Sequence, residues 1–128
     1  DDVHYFCNSG IDIDGIKFYG MPMFMEYAMD GTYEQHIKDI PDDTDVLVTH
    51  QTPYGILDGG EYKGQASYHY GDYFLYTRVI DVKPKLHLFG HDHNAYGSIE
   101  QFGTAFSNAA VVDEHYKLKE IKYLTYKI

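Results

Sequence analysis

Leu86-His87-Leu88-Phe89-Gly90-His91-Asp92-His93 is the stretch whose reading decides the architecture. Its first four residues form a compact apolar run of the kind buried in a sheet, and a glycine ends the run before two histidines spaced two apart. In an extended segment such a pair projects both rings the same way, and imidazole is a favoured nitrogen ligand for zinc, iron and manganese-type sites. The same pattern occurs upstream. Asp45-Val46-Leu47-Val48-Thr49-His50 is again an apolar, β-branched run with a histidine at its C-terminal end. Between the two, Asp72 can cap a helix whose apolar positions Leu75, Val79 and Val82 share one face, and Pro84 stops it. Strand-helix-strand units that carry polar residues at their C-terminal strand ends form the ligand-binding edge of open α/β sheets. The expected class is therefore α/β, a layered fold with mixed sheets.

Working outward, Val3 to Phe6 and then Ile11 to Tyr19 read as short strands, with turns at Asn8-Ser9-Gly10 and Asp14-Gly15. Thr32, followed three residues later by Gln35, fits a capping box for a short helix that ends before Pro41. Residues 51–71 hold much of the glycine, Pro53 and several tyrosines, and read as a long surface loop of the kind that often serves function. Gly97 to Gln101, Thr104 to Ser107 and Ile121 to Lys127 read as strands, with a turn at Gly103.

Composition narrows the function classes. A length of 128 residues fits one domain, and 44% hydrophobic with 23% charged residues is ordinary for a globular chain. The formal charge of −10, with only 10 Lys and Arg, argues against a general nucleic-acid surface, so a phosphate-handling site here would need metal ions. The lone Cys7 excludes an internal disulfide framework, and no apolar run is long enough for a membrane span or signal peptide. A cytoplasmic location is the default expectation. Because the chain starts Asp1-Asp2 without a methionine, it is read as a fragment of a longer protein.

Of the eight histidines, His4, His36, His69 and His115 have no partner at a metal-like spacing and read as surface or structural residues. His87 alternates within a buried-type strand and reads as a hydrogen-bonded core residue. His50, His91 and His93 stand apart. The strings 45–55 and 86–93 closely resemble the last two metal-binding motifs of the calcineurin-like metallophosphoesterase superfamily, and Asn108-Ala109-Ala110 with Asp113-Glu114-His115-Tyr116 are similar to its small bacterial and MPPED-type branch. The resemblance runs from about Gly15 to Leu118 and implies part of a β-sandwich of mixed sheets flanked by helices. It implies hydrolysis of a phosphomonoester or phosphodiester by a metal-bound hydroxide, on a small phosphate-ester substrate; no membrane partner is expected, since no long apolar run is present. By position it assigns His50 and His91 to one metal and His93 to the other. Tyr54, Gly55 and Asn108 become candidates for the substrate cleft, with Gly90 and Gly55 letting the backbone turn close to the site.

The departures from the family's pattern are equally informative. Its Asp-x-His, Gly-Asp-x-x-Asp and Gly-Asn-His motifs, which supply a bridging aspartate, an asparagine ligand and the histidine that protonates the leaving group, do not occur here. Thr52 stands where many relatives have a second proline. The expectation is two divalent ions, manganese, iron or zinc, in the full-length parent, and at most one in this chain. Asp58 and Asp92 are poor substitutes for the missing carboxylate, the first by its loop and the second by pointing away between two ligands. This chain is therefore expected to be the inactive C-terminal portion of a phosphoesterase domain. The alternative is a self-standing, non-catalytic domain that binds a metal or a partner.

Overall fold

The computed structural model describes residues 2–62, 65–120 and 124–128. Its centre is a six-stranded mixed sheet. In chain order its strands are β1 (Ser9–Ile13), β2 (Ile16–Met21), β3 (Val46–Thr49), β6 (Leu86–Phe89), β7 (Gly97–Gln101) and β8 (Thr104–Asn108), with β4 (Gly59–Tyr62) and β5 (Gln65–His69) forming a separate hairpin. Three helices complete it among the described residues: α1 (Met25–Asp30), α2 (Tyr33–Lys38) and α3 (Tyr73–Val82). The spatial order is β1-β2-β3-β6-β8-β7, parallel through the four inner strands and antiparallel at both edges. This is the α/β class expected, though among the described residues the only other sheet is the two-stranded β4–β5 hairpin.

The register explains what is buried. Tyr19, Leu47, His87 and Phe106 are successive partners across four strands and so share one face. That face packs against Ile37 of α2 and Leu75, Val79 and Val82 of α3, the main core of the molecule. The three α3 residues are those spaced to share one helical face, and the Asp72 carboxylate accepts from the Leu75 amide at 2.6 Å as the cap. Lys83 ends the helix in the left-handed region at φ 52°, ahead of Pro84.

Several expectations fail for identifiable reasons. Residues 2–6 form no strand: Val3 and Tyr5 are more than four-fifths exposed, and β1 already occupies the sheet edge. Ser9 and Gly10 are not a turn but the start of β1. The helix near Thr32 is present as α2, yet the capping box does not form. Thr32 gives its hydroxyl to Asp30 at 2.5 Å, and Gln35 reaches forward to Asp39 at 2.8 Å. Residues 51–71 contain the β4–β5 hairpin instead of a plain loop. Residues 121–123 of the strand expected at Ile121 to Lys127 lie outside the described residues, and 124–127 are irregular. No helix among the described residues is long and apolar enough to cross a membrane.

Candidate metal centre

Because β3 and β6 are adjacent and parallel, the residues that follow them leave the sheet side by side. The Gly90 amide donates to the His50 carbonyl at 3.4 Å. One residue further, His50 Nε2 and His91 Nδ1 lie 3.1 Å apart, with ring centroids 4.9 Å apart and planes inclined by 52°. Two imidazole nitrogens at that distance share one proton in the absence of metal. The same spacing suits two ligands of one cation, for metal–nitrogen bonds of 2.0–2.1 Å in tetrahedral geometry put their nitrogens about 3.3 Å apart. Burial, and after it the neighbouring His91 ring, hold the His50 imidazole below the ordinary histidine range. That keeps it neutral, the form that coordinates a metal.

The turn that presents His91 is not made by glycine. A Cβ at Gly90 would meet nothing within 4 Å and its backbone is ordinary, whereas His91 itself carries the positive φ of 70°. Gly55, at φ 77°, does occupy the left-handed region as expected.

His93 is placed differently. Its Nδ1 lies 3.1 Å from the Asp113 carbonyl, which can only accept, so Nδ1 carries the proton and Nε2 keeps its lone pair. A ring nitrogen tied to a backbone carbonyl, leaving the other free, is the outer-shell arrangement of metal-binding histidines. The ring packs edge-on against Tyr116, with centroids 5.4 Å apart. The structure thus brings His50 and His91 into contact, while His93 is held instead by the Asp113 carbonyl and Tyr116. Among the described residues no three His, Cys, Asp or Glu side chains gather into a group able to hold a metal ion. The donors brought together are a pair of imidazole nitrogens, with no carboxylate joined to them among the described residues.

The two carboxylates weighed from sequence are engaged elsewhere. Asp92 is buried, accepting the Asn94 amide at 3.0 Å on Oδ1 and leaving Oδ2 unpartnered. Asp58 is 2% exposed and accepts the Gly55 and Gly71 amides at 2.8 and 2.9 Å, so it anchors the loop rather than moving with it. Among the cleft candidates, Tyr54 is exposed and packs at a tilt against His69 and edge-on against Tyr73. Asn108 is fully buried, its amide donating to Leu57 O and Asp92 O and its oxygen accepting the Ala110 amide, so it ties these loops together.

His87, read as a core residue, is one. It is fully buried beside Phe89 and Phe106, with Nε2 2.9 Å from the Thr49 hydroxyl. That hydroxyl already donates to Gln51 O at 2.7 Å, so His87 must donate from Nε2 and leave Nδ1 as an unpartnered acceptor. A proton there would make a buried cation with no acceptor, and burial pushes the His87 pKa down to about 3. Sequence reasoning overlooked one arrangement, the contact of buried Asp58 with His69 at 2.9 Å. The two lie eleven residues apart within a stretch read as loop, and only the β4–β5 pairing brings them together.

No family model matches the chain. It is 33% identical over 119 residues to a UPF0046 protein of Caenorhabditis elegans, covering 85% of this chain and 38% of that one. It is 31% identical over 121 residues to metallophosphoesterase domain-containing protein 1 of Homo sapiens, covering 88% of this chain and 36% of that one. The chain thus spans less than two-fifths of the length of these relatives. A solved crystal structure superposes with a TM-score of 0.55 over 82% of this chain and 45% of its own, at 13% identity, which is a likeness of fold alone.

Proposed function

We propose, for a chain homologous over most of its length to the UPF0046 and metallophosphoesterase domain-containing proteins and so to the calcineurin-like metallophosphoesterase branch, that it carries the histidine part of a metal centre that hydrolyses phosphate esters. The observation behind this is the His50–His91 contact at the C-terminal ends of two adjacent parallel strands. In the full-length protein, His50 and His91 would hold one divalent ion and His93 a second, manganese, iron or zinc, with the remaining ligands coming from outside this chain. When bound, such ions acidify water and neutralise phosphate oxygens. This chain's own residues keep His50 neutral by burial, and orient the His93 ring through Asp113 O. Tyr54 and Gly55 border the approach. The charge of −10 suits a small ester better than a polyanion. A reducing compartment such as the cytoplasm fits the single exposed thiol, Cys7.

The test uses the full product of the reading frame that encodes the chain, assayed with manganese on bis(p-nitrophenyl) phosphate. His91→Ala is expected to cut turnover by more than the roughly 10–100-fold typical of losing an outer-shell partner of a metal ligand. Unchanged turnover would sink the reading. The lack of a carboxylate beside the pair also favours a second reading for the 128 residues by themselves, a domain that binds one metal without catalysis. Isothermal titration with zinc and manganese distinguishes the two. One weak equivalent without turnover supports the second reading for the isolated chain, and two tight equivalents with turnover refute it.

A further inference from the structure

Asp58 is 2% exposed and accepts three hydrogen bonds: the Gly55 and Gly71 amides on Oδ2, and His69 Nδ1 at 2.9 Å on Oδ1. The two amides suffice to close the loop, so the third contact has a different consequence. An ionised carboxylate only accepts, which places the proton of His69 on Nδ1. The His69 side chain is 46% exposed, and its Nε2 has no hydrogen-bond partner among the described residues. A buried carboxylate fixing one ring nitrogen while the other meets solvent is the geometry of a general acid–base imidazole.

This imidazole is built onto the segment that leaves His50. The Asp72 amide donates to Thr52 O at 2.8 Å, the Tyr54 amide to Asp72 O at 3.0 Å, and Gln51 Nε2 to Tyr70 O at 3.4 Å. Residues 51–54 and 70–72 therefore run together, and the His69 ring packs at a tilt of 50° against Tyr54, with ring centroids 5.1 Å apart.

We propose that Asp58 and His69 form a proton-transfer pair serving the phosphoesterase site, an inference that rests on the function proposed above. In the step, water adds its oxygen to phosphorus and the bond from phosphorus to the leaving oxygen breaks. His69, carrying a proton on each ring nitrogen at the start of the step, gives the Nε2 proton to that oxygen. It keeps the Nδ1 proton, donated to Asp58, which holds the ring oriented. The proton lost by the attacking water passes to solvent, from which Nε2 is reloaded. The substrate class this serves is an ester with an alkoxide leaving group, which cannot depart without a proton. A nitrophenolate departs unaided.

Two measurements test it. In the 128-residue chain, carbethoxylation by diethyl pyrocarbonate, read by peptide mass spectrometry, should be faster at His69 than at the exposed His4. Asp58→Asn, which can still accept from both amides, should bring His69 down to the rate of His4, with circular dichroism unchanged. In the full product of the reading frame, His69→Gln should slow an alkoxide diester, glycerophosphoethanolamine, by about 100-fold or more, the usual worth of a positioned proton donor. It should leave bis(p-nitrophenyl) phosphate within a few-fold of wild type. Labelling of His69 no faster than His4, or insensitive to Asp58→Asn, overturns the pair. So does equal behaviour of His69→Gln on the two esters, or no turnover of the alkoxide ester by wild type, in each case with the His91→Ala loss intact. If His91→Ala changes nothing, it is the phosphoesterase reading that has fallen, and the inference falls with it.

Discussion

His87 and His91 come from one short stretch, the first inside β6 and the second just beyond its end, and they meet opposite environments. His87 stands in the row of Tyr19, Leu47 and Phe106, sealed from water and donating to a single hydroxyl. His91 is exposed, on a left-handed residue, with another imidazole as its neighbour. Whether a histidine meets water is thus decided here by register: a residue within the strand row is enclosed, and one past the strand end is exposed. Sheet pairing, more than residue type, separates enclosed from accessible histidines in this chain.

The largest test of that contrast is truncation of the buried ring. His87→Ala should lose about 3 kcal/mol, combining an unfilled cavity with a Thr49 hydroxyl left with less to bond. Urea unfolding measures it, and a loss under 1 kcal/mol would mean that the site collapses or that the ring is not packed as described. Next is pH. The His87 pKa is about 3 in the folded chain against an ordinary 6.5, so between those values the unfolded chain binds a proton that the folded chain refuses. Its contribution is present in full above pH 6.5 and lost as pH falls toward 3, about 2 kcal/mol by pH 5 at about 1.4 kcal/mol per unit. Comparison with His87→Phe isolates it, because the variant should show a shallower slope in that window. An unchanged slope would place the acid sensitivity in the carboxylates.

Thr49→Val comes third, at about 1 to 2 kcal/mol, since it strands the His87 Nε2 proton in the core while preserving shape. Nitrogen-15 shifts should then show the ring leaving the Nε2-protonated form, and an unaltered tautomer would argue that another acceptor is present. Smallest is His91→Ala, expected within about 0.5 kcal/mol of wild type by the same unfolding measurement, as for most exposed sites. A large loss there would erase the contrast, for it would make His91 structural too.

Much of this was legible in the sequence, for reasons the residues supply. β3, β6 and α3 are apolar runs or a 3.6-residue pattern bounded by Asp72 and Pro84, and in each the side chains that had to be inside identify the element. The His50–His91 contact followed from parallel neighbours that end together. Other parts are silent locally. α1 buries none of its residues and has no side-chain cap, so Met25–Asp30 carries no periodic or capping signal. β4 and β5 lack alternation, and their pairing is what creates the Asp58–His69 contact. The left-handed φ at His91 has no sequence cue either, since Gly90 draws attention to the wrong residue.

The strand order has a kinetic consequence. Both edges of the sheet are local hairpins, β1 with β2 through Asp14-Gly15 and β7 with β8 through Phe102-Gly103. All three inner pairings, β2–β3, β3–β6 and β6–β8, join strands separated by helices or other strands along the chain. Hairpins of this kind close in about 1–10 μs, whereas distant parallel pairing must first meet the cost of loop closure. Folding should therefore begin as two preformed margins, with the β3–β6 seam welded last. Since His50 and His91 project from that seam, the histidine pair would be among the last features of the molecule to assemble. A metal added during refolding would then speed recovery only after the sheet has zipped, not before.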